Sequence, residues 1–354
     1  MNDIQQFEAI VVGGGQAGLA TSHELTGRGV QHIVLEADER VGDTWRRRYD
    51  SLRLFTPVQY SALPGMPHLM PRGALLTRGE FAAYLERYAE TLGLPLRTGV
   101  RVRRVTRTRD GFDLETTAGQ MAARSVVVAT GSTTSPRIPS GAAMLDPAIV
   151  QVHTSDYRNP DTVPSGDVIV VGAGTSGVDI AVELAGAGHR TWLAGNPTLQ
   201  IPEAARRFAG PLLWGFLYHV MTLDTPVGRR AAGQAVAHGA PLMRLGMKDV
   251  AEAGIGRLPR FSGVRDGLPW FGTDEVLTPS SIVWATGFRI DVSWLPPLET
   301  DLHGNPVTVR GIVEGVPGLT FVGLPFQYSI TSPLIGGVGR DAAYVADRVA
   351  ARRG

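Results

Sequence analysis

The chain has 354 residues, a length that indicates two or three folding units. With 43% hydrophobic and 19% charged residues it has the composition of a folded protein with a substantial core, and its formal net charge of +1 does not indicate a nucleic-acid partner. The absence of cysteine excludes disulfide frameworks, thiolate nucleophiles, redox-active cysteine pairs and cysteine-ligated zinc.

The amino-terminal residues are polar and acidic, without the basic and apolar segments of a secretory signal peptide. The longest apolar stretch, 211–223, is shorter than the roughly 20 residues that span a bilayer. The eight histidines show no spacing typical of zinc ligands. We therefore expect a cytoplasmic protein with no integral membrane segment, no bound metal and no nucleic-acid partner.

An apolar, β-branched run at 9–12 leads into a glycine-rich turn, a segment compatible with a helix and a second short strand at 33–35. The turn contains Gly13, Gly15 and Gly18 in GxGxxG spacing. The first glycine permits a tight turn, the second lets the backbone approach a pyrophosphate, and the third allows helix and strand to pack closely. The amino terminus of the helix then directs its free N–H groups at the phosphates. The sequence therefore predicts a dinucleotide site here.

The same order of strand, glycine turn, helix and strand recurs at 168–193, and 13–29 aligns with 172–188 without a gap. The repeat predicts two bound dinucleotides, or one dinucleotide and a second site that has lost its function. The glycines of the second turn are Gly172, Gly174 and Gly177.

A second pair of segments, 125–131 and 281–287, also resemble each other, and each is an apolar strand that ends in Ala-Thr-Gly. Such small turns let the chain pass close to a bound cofactor or cross between domains. Two unrelated core strands are the alternative interpretation. The predicted cofactor contacts in these turns are Ala129, Thr130, Gly131, Ala285, Thr286 and Gly287.

The two predicted sites differ at the end of the second strand, where a carboxylate normally binds the ribose hydroxyls. Glu36 stands at this place in the first copy. The second copy has Gly195 followed by Asn196, so no carboxylate would repel a 2′-phosphate, and no arginine stands at the strand end to attract one. Arg206 lies beyond it. We therefore expect relaxed coenzyme selectivity, in which NADPH is accepted and NADH is also used.

These elements predict an α/β fold with two Rossmann-like dinucleotide-binding domains, the second inserted into the first. The first domain occupies 1–160, and its return segment is 287–354. The second domain occupies 161–286, with a helical insertion at about 202–256. We expect this insertion to line a substrate cavity or its entrance, with an ordinary core helix and docking at a membrane surface as alternatives.

Four motifs between the glycine turns, at 39–45, 49–57, 63–67 and 153–158, carry a resemblance to a known family. Their order is similar to that of the class B flavin-containing monooxygenases, including the plant auxin-forming enzymes and compact bacterial members. The resemblance covers essentially the whole chain. It implies FAD on the first domain and NADPH or NADH on the second. It also implies oxygenation of a small sulfide, amine, ketone or 2-oxo acid with O₂ through a flavin C4a-hydroperoxide.

This sequence departs from the family pattern at several positions. Pro147 and Ile149 replace a Phe and a Gly of the family signature before His153, and Asp43 replaces a Gly. Phe55 stands where many members carry an Asn that helps to hold the oxygenated flavin. Two alternatives therefore stay open: an FAD-dependent NAD(P)H oxidase that releases hydrogen peroxide, and a non-catalytic flavoprotein that senses dinucleotides.

The resemblance also implies roles for individual residues. Phe55 and Gln59 are the candidates for catalytic contact with the flavin, and a homodimer is one expected assembly. The further FAD contacts are Gly13, Gly15, Gln16, Ala17, Gly18, Glu36, Thr44, Trp45, Arg46, Leu54, Thr56, Gln59, Val102, Gly323, Gln327, Ser332 and Leu334. Those of the second site are Gly172, Gly174, Thr175, Ser176, Gly177, Asn196 and Arg206.

Overall fold

The computed structural model describes residues 4–201, 210–238 and 241–353. Its strands are β1 (Gln5–Val12), β2 (His32–Leu35), β3 (Leu96–Arg97), β4 (Val102–Arg107), β5 (Phe112–Thr116), β6 (Gly119–Val128), β7 (Ser135–Pro136), β8 (Val150–His153), β9 (Val168–Val171), β10 (Thr191–Ala194), β11 (Gly256–Leu258), β12 (Gly263–Arg265), β13 (Leu268–Trp270), β14 (Ser281–Trp284), β15 (Phe288–Arg289) and β16 (Leu319–Phe321).

The described α-helices are α1 (Gln16–Gly27), α2 (Asp43–Arg46), α3 (Arg78–Thr91), α4 (Thr175–Gly186), α5 (Gly210–His219), α6 (Pro226–His238), α7 (Met247–Glu252) and α8 (Val338–Ala350). Short 3-10 helices are formed by Val58–Tyr60, Ser140–Met144, Pro160–Thr162 and Ala351–Arg353.

The first sheet has the strand order β3-β2-β1-β6-β5-β4, and β16 pairs with the end of β6. Strands β3, β2, β1, β6 and β16 are parallel, whereas β4, β5 and β6 form an antiparallel meander. Val12 lies opposite both Leu35 and Val128. The carboxyl ends of three parallel strands therefore meet at one edge, and this edge carries the first glycine turn.

The second sheet has the order β11-β10-β9-β14-β8, and all its strands are parallel. Val171 lies opposite Ala194 and Trp284, which is the same alignment of carboxyl ends as in the first sheet. Each strand of β9, β10 and β14 is buried along its whole length, as expected for a parallel sheet covered on both faces.

Two chain segments join the sheets, one leaving the first sheet after β6 and one returning after β14. They pair through β7 and β15, with Pro136 opposite Phe288. Because the chain returns to add β16 to the first sheet, the second α/β unit is inserted into the first. The predicted fold class is thereby confirmed.

The sheets divide the chain earlier than the predicted boundary at residue 160. Strand β8 pairs with β14 in the second sheet, although it lies within the predicted first domain 1–160. The proline-rich segment 159–167, which contains this boundary, follows β8 and precedes β9 inside the second unit. The proline-rich segment shows where the chain turns but not where a domain ends. Strand β8 has only four residues, so its sheet is known only from its pairing with β14.

Candidate functional site

The first glycine of each turn has the same backbone conformation in the two units. Gly13 and Gly172 have φ values of +107° and +113°, which side chains rarely tolerate. A Cβ atom on Gly13 would collide with the carbonyl oxygen of Ala129, and one on Gly172 with that of Ala285. Each glycine turn is therefore packed against the Ala-Thr-Gly segment with which the sequence repeat pairs it.

The second and third glycines of the turns differ in the space around a Cβ atom. A Cβ on Gly18 would overlap the carbonyl oxygen of Gly13, so helix α1 packs on β1 only with glycine there. Gly177 stands in the same relation to Gly172. In contrast, no described heavy atom lies within 4 Å of a Cβ built on Gly15. The space beside the second glycine is open, as the close approach of a pyrophosphate requires.

The amino termini of α1 and α4 are also suited to phosphate. Their N-cap residues, Gly15 and Gly174, provide no side-chain cap, and neither first turn holds an acidic residue. The free N–H groups and the positive end of each helix dipole therefore face the open space. The hydroxyl of Thr175 is buried and has no hydrogen-bond partner within the described residues. Both turns thus fit a dinucleotide phosphate.

Glu36 is held at the carboxyl edge of the first sheet. Its Oε2 accepts a hydrogen bond from the Gly14 N–H at 2.6 Å, and its Oε1 accepts one from the Asp38 N–H at 2.9 Å. Burial raises the pKa of Glu36, whereas these two hydrogen bonds act to lower it. The backbone of Val100 donates to the Glu36 carbonyl at 2.9 Å, while Val102 lies two residues further, in β4.

A cleft of about 630 Å³ opens beside the second glycine turn. Three arginines that sequence reasoning missed line it: Arg137, Arg260 and Arg289. Arg137 and Arg289 belong to the paired connecting segments, and Arg260 follows β11. None of the three is part of the glycine-turn motif. Their positions in the cleft depend on strand pairing, which no short motif in the sequence marks. The predicted residues among its lining are Gly172, Asn196 and Thr286, whereas Arg206 lies outside the described residues.

Arg46 and Trp45 stand in α2, beside the first site. The guanidinium of Arg46 is 2.9 Å from Asp43 and 2.9 Å from Glu86. Two carboxylates thus compensate its charge, so the contact with FAD that the sequence predicts for Arg46 is not favoured at a phosphate. Trp45 approaches Gln16, with 3.4 Å between its indole nitrogen and Oε1. The Thr44 hydroxyl bonds to Asp38.

Arg48 is a cation without a carboxylate within 4.0 Å in the described part of the chain. Its Nη2 donates to the Thr133 hydroxyl at 2.9 Å, and its guanidinium lies 5.3 Å from the ring centroid of Phe288. Burial lowers the pKa of Arg48. Since Thr133 and Phe288 belong to the two connecting segments, Arg48 brings an uncompensated charge to the junction between the units.

The loop at 54–60 contains four of the predicted flavin contacts: Leu54, Phe55, Thr56 and Gln59. Leu54 is buried in the core of the first unit, and the Thr56 carbonyl accepts from Ser61 at 3.1 Å. Gln59 is exposed, and its Oε1 accepts from the Gly73 N–H at 2.8 Å. We therefore assign Gln59 no role at the flavin. Phe55 is half-buried.

The carboxy-terminal segment returns to the first glycine turn, where a Cβ on Gly323 would lie 3.0 Å from that of Ala17. The Gln327 side chain donates to the Phe321 carbonyl at 2.9 Å, and the Ser332 hydroxyl accepts from the backbone of this segment. The polar groups of Gln327 and Ser332 thus hold the backbone of this carboxy-terminal segment in place. Leu334 is half-buried before α8.

The described part of the insertion lies over this segment. Trp214 of α5 stacks on Tyr60 with 5.3 Å between ring centroids. The Leu223 N–H donates to the Tyr328 carbonyl at 2.8 Å, and Arg340 donates to the Tyr218 carbonyl at 3.0 Å. Insertion and carboxy-terminal segment therefore form one wall. Among the described helices, none has the length and apolar character to cross a membrane.

His153, the last residue of β8, joins the second sheet to the connecting segment that returns after β14. Its Nε2 is 3.0 Å from the Gly287 carbonyl, and its Nδ1 is 3.0 Å from the Ser155 hydroxyl. Burial lowers the pKa of His153, so the ring is neutral near pH 7. The Tyr157 hydroxyl donates to Glu183 at 3.0 Å. These contacts give both residues positioning roles.

Comparison with known proteins agrees with this geometry. The sequence pattern of the pyridine nucleotide-disulphide oxidoreductase family matches residues 10–203. A CzcO-like oxidoreductase of Geobacillus kaustophilus (strain HTA426) is 35% identical over 345 residues, which cover 97% of this chain and 98% of that protein. The indole-3-pyruvate monooxygenase YUCCA1 of Oryza sativa subsp. japonica is 32% identical over 202 residues, 54% of this chain and 48% of its own length.

Among solved structures, a flavin-containing monooxygenase from Stenotrophomonas maltophilia superposes with a TM-score of 0.81 at 24% identity, over 99% of this chain and 100% of that chain. The resemblance to flavin-containing monooxygenases is therefore confirmed. The lack of cysteine excludes a redox disulfide formed by this chain's own residues. The chain is a member of the pyridine nucleotide-disulphide oxidoreductase family, an oxidoreductase with the two-domain fold of the flavin-containing monooxygenases.

Proposed function

We propose that the protein is an FAD-dependent monooxygenase that uses NADPH or NADH and O₂ to oxygenate a small organic substrate. The observation that carries the proposal is the pair of geometrically equivalent glycine turns, each with open space beside its second glycine. When bound at the first turn, FAD would supply the two-electron redox chemistry that links NAD(P)H to O₂. One oxygen atom enters the substrate and the other leaves as water, so that substrate, NAD(P)H, H⁺ and O₂ give oxygenated substrate, NAD(P)⁺ and water.

In this proposal the first turn holds the FAD pyrophosphate. The N–H groups at the start of α1 would bind the phosphates, and Glu36 would accept a hydrogen bond from the ribose. Glu36 already stands beside the turn through its bond to Gly14. The second turn and the arginine-lined cleft would hold the nicotinamide dinucleotide, whose phosphates complement the positive charge there.

The wall formed by α5 and the carboxy-terminal segment would close the flavin region against water. Trp214 and Tyr60 supply flat apolar surface, and Phe55 adds an apolar side chain from the neighbouring loop. Exclusion of water protects an oxygenating cofactor from unproductive breakdown. Such a wall suits a small apolar or aromatic substrate, and the 2-oxo acid named for the rice relative is a rational first member of a substrate panel.

An NAD(P)H oxidase that releases hydrogen peroxide is the second candidate. The observation in its favour is that the loop at 54–60 offers an apolar Phe55 and turns the Gln59 amide to an exposed contact with Gly73. This loop therefore supplies no polar side chain from these two positions to hold an oxygenated cofactor.

The ratio of peroxide released to NADPH consumed distinguishes the two functions. We expect a panel of sulfides, amines, ketones and 2-oxo acids to contain compounds that lower this ratio well below one and appear as oxygenated products. Full recovery of the electrons as peroxide with every compound would establish the oxidase instead. Dinucleotide binding without any NADPH oxidation would establish a sensing protein.

A further inference from the structure

The edge of the second cleft is built by two neighbouring strands. The Gly195 N–H donates to the carbonyls of Leu258 and Pro259, at 3.0 and 3.1 Å. This bond aligns the end of β11 with the end of β10, the position where a Rossmann-type site normally holds the adenosine ribose. Arg260 follows directly, so it reaches the same edge as Asn196 although it is distant in sequence.

The charge of this edge is positive and uncompensated. No Asp or Glu is among the described residues that line the cleft, whereas the first site carries Glu36. Arg260 is exposed, and no carboxylate lies within 4.0 Å of its guanidinium in the described chain. A cation here would attract a phosphate on the ribose, and nothing in the lining would repel it.

Arg257 and Arg190, the other arginines near the ends of β10, do not line the cleft. Arg257 donates to the Gly195 carbonyl at 2.5 Å, and this bond fixes the end of β10. Arg190 precedes β10, at the opposite end of the strand, and lies 3.8 Å from Asp167.

The other two cleft arginines belong to the connecting segments. The Arg137 N–H donates to the Gly287 carbonyl at 3.0 Å, and Arg289 lies opposite Ser135. The Thr286 hydroxyl bonds to the Arg137 carbonyl. Thr286 and Arg289 follow β14, whose end faces the glycine turn, and Arg137 is bonded to the same segment. These residues therefore lie on the pyrophosphate side of the cleft. Arg260 is left as the cation at the ribose side.

We propose that Arg260 binds the 2′-phosphate of NADP and makes this protein selective for NADPH. The inference rests on the proposed function only in that the second turn holds a nicotinamide dinucleotide. The residues at the end of β10 led us to expect use of both NADPH and NADH. Arg260 changes this expectation to a preference for NADPH, because it brings a cation to the same edge from the neighbouring strand β11.

Calorimetric titration of the FAD-containing protein with 2′,5′-ADP and with 5′-ADP tests this assignment without turnover. We expect Arg260→Gln to weaken binding of 2′,5′-ADP by roughly tenfold or more, the effect of losing one charge-assisted contact to phosphate. Affinity for 5′-ADP should change little. Arg265→Gln removes an exposed arginine of β12 that does not line the cleft, and this control should bind both nucleotides as the unsubstituted protein does.

Equal affinities of Arg260→Gln and the unsubstituted protein for 2′,5′-ADP would overturn the assignment. An equal loss for both nucleotides, or no binding of either nucleotide to the unsubstituted protein, would overturn it as well. An Arg260-dependent preference for 2′,5′-ADP in a protein that oxygenates no substrate would uphold the phosphate site while refuting the proposed monooxygenase.

Discussion

At the scale of single residues, Asp341 is a buried carboxyl group in the first turn of α8. It is 1% exposed, and the groups that face it are the Ser332 hydroxyl and the guanidinium groups of Arg340 and Arg310, which act to lower its pKa. Burial raises the pKa of Asp341 to about 6. The folded chain therefore binds this proton more tightly than the unfolded chain, in which the group titrates near pH 4.

The stabilisation by the protonated carboxyl is complete below pH 4 and is lost as the pH rises through about 6. We predict that Asp341→Asn, which is neutral at every pH, raises the free energy of unfolding at pH 8 by up to about 3 kcal/mol and changes it little at pH 4. Urea unfolding at the two pH values measures this difference.

Asp110→Asn is the matched control, because Asp110 is exposed in the turn after β4. It should leave the pH dependence of unfolding unchanged. If Asp341→Asn and the unsubstituted protein lose stability in parallel between pH 4 and pH 8, Asp341 does not titrate as its burial implies.

The sequence predicts residues that a local backbone conformation requires. It does not predict the role of a side chain whose partner is distant in sequence. Gly13 and Gly172 have positive φ values that the motif requires. The guanidinium of Arg46 and the amide of Gln59 are instead engaged by Glu86 and Gly73, which are distant in sequence or in another loop. No local pattern reveals such pairings.

At the scale of elements, a loop of the first unit is bonded to helix α4 of the second. The Tyr49 hydroxyl donates to Asp179 Oδ2 at 3.1 Å, and Arg244 lies 2.9 Å from the same oxygen. Burial raises the pKa of both Tyr49 and Asp179. Since α4 begins at the second glycine turn, this contact fixes that turn relative to the first unit.

We predict that Tyr49→Phe lowers the free energy of unfolding by about 1–3 kcal/mol, the usual effect of losing a hydrogen bond to a charged group. Asp179→Ala should lower it further, by up to about 3–5 kcal/mol, because the half-buried Arg244 guanidinium then lacks its carboxylate. Urea unfolding compares the two variants. An Asp179→Ala protein as stable as Tyr49→Phe would show that Arg244 is not held by this pair.

Elements with a strong local pattern were also the ones the sequence could place. Strands β1 and β9 and helices α1 and α4 occupy the predicted segments because the glycine motif defines their order. The sheet of β8 and the position of β11 next to β10 depend on pairing over long sequence distances. For that reason Arg260 was not among the sequence-based candidates.

For the whole molecule, the proposed function requires two dinucleotides, each on its own glycine turn, on two sheets joined by the β7–β15 pair. Gly15 and Gly174 have open space around a Cβ atom, so an aspartate at either position fits the protein while its charge opposes a phosphate. Gly79, in the first turn of α3, also has open space and lies outside both turns.

The most direct test is the flavin absorbance of three purified variants before and after anaerobic addition of NADPH, with circular dichroism to verify folding. We predict that Gly15→Asp contains no FAD, that Gly174→Asp contains FAD that NADPH fails to reduce, and that Gly79→Asp behaves as the unsubstituted protein. Loss of flavin from Gly174→Asp with retention in Gly15→Asp would contradict the assignment of FAD to the first turn. An unsubstituted protein unable to hold FAD supplied in excess would contradict the proposed function.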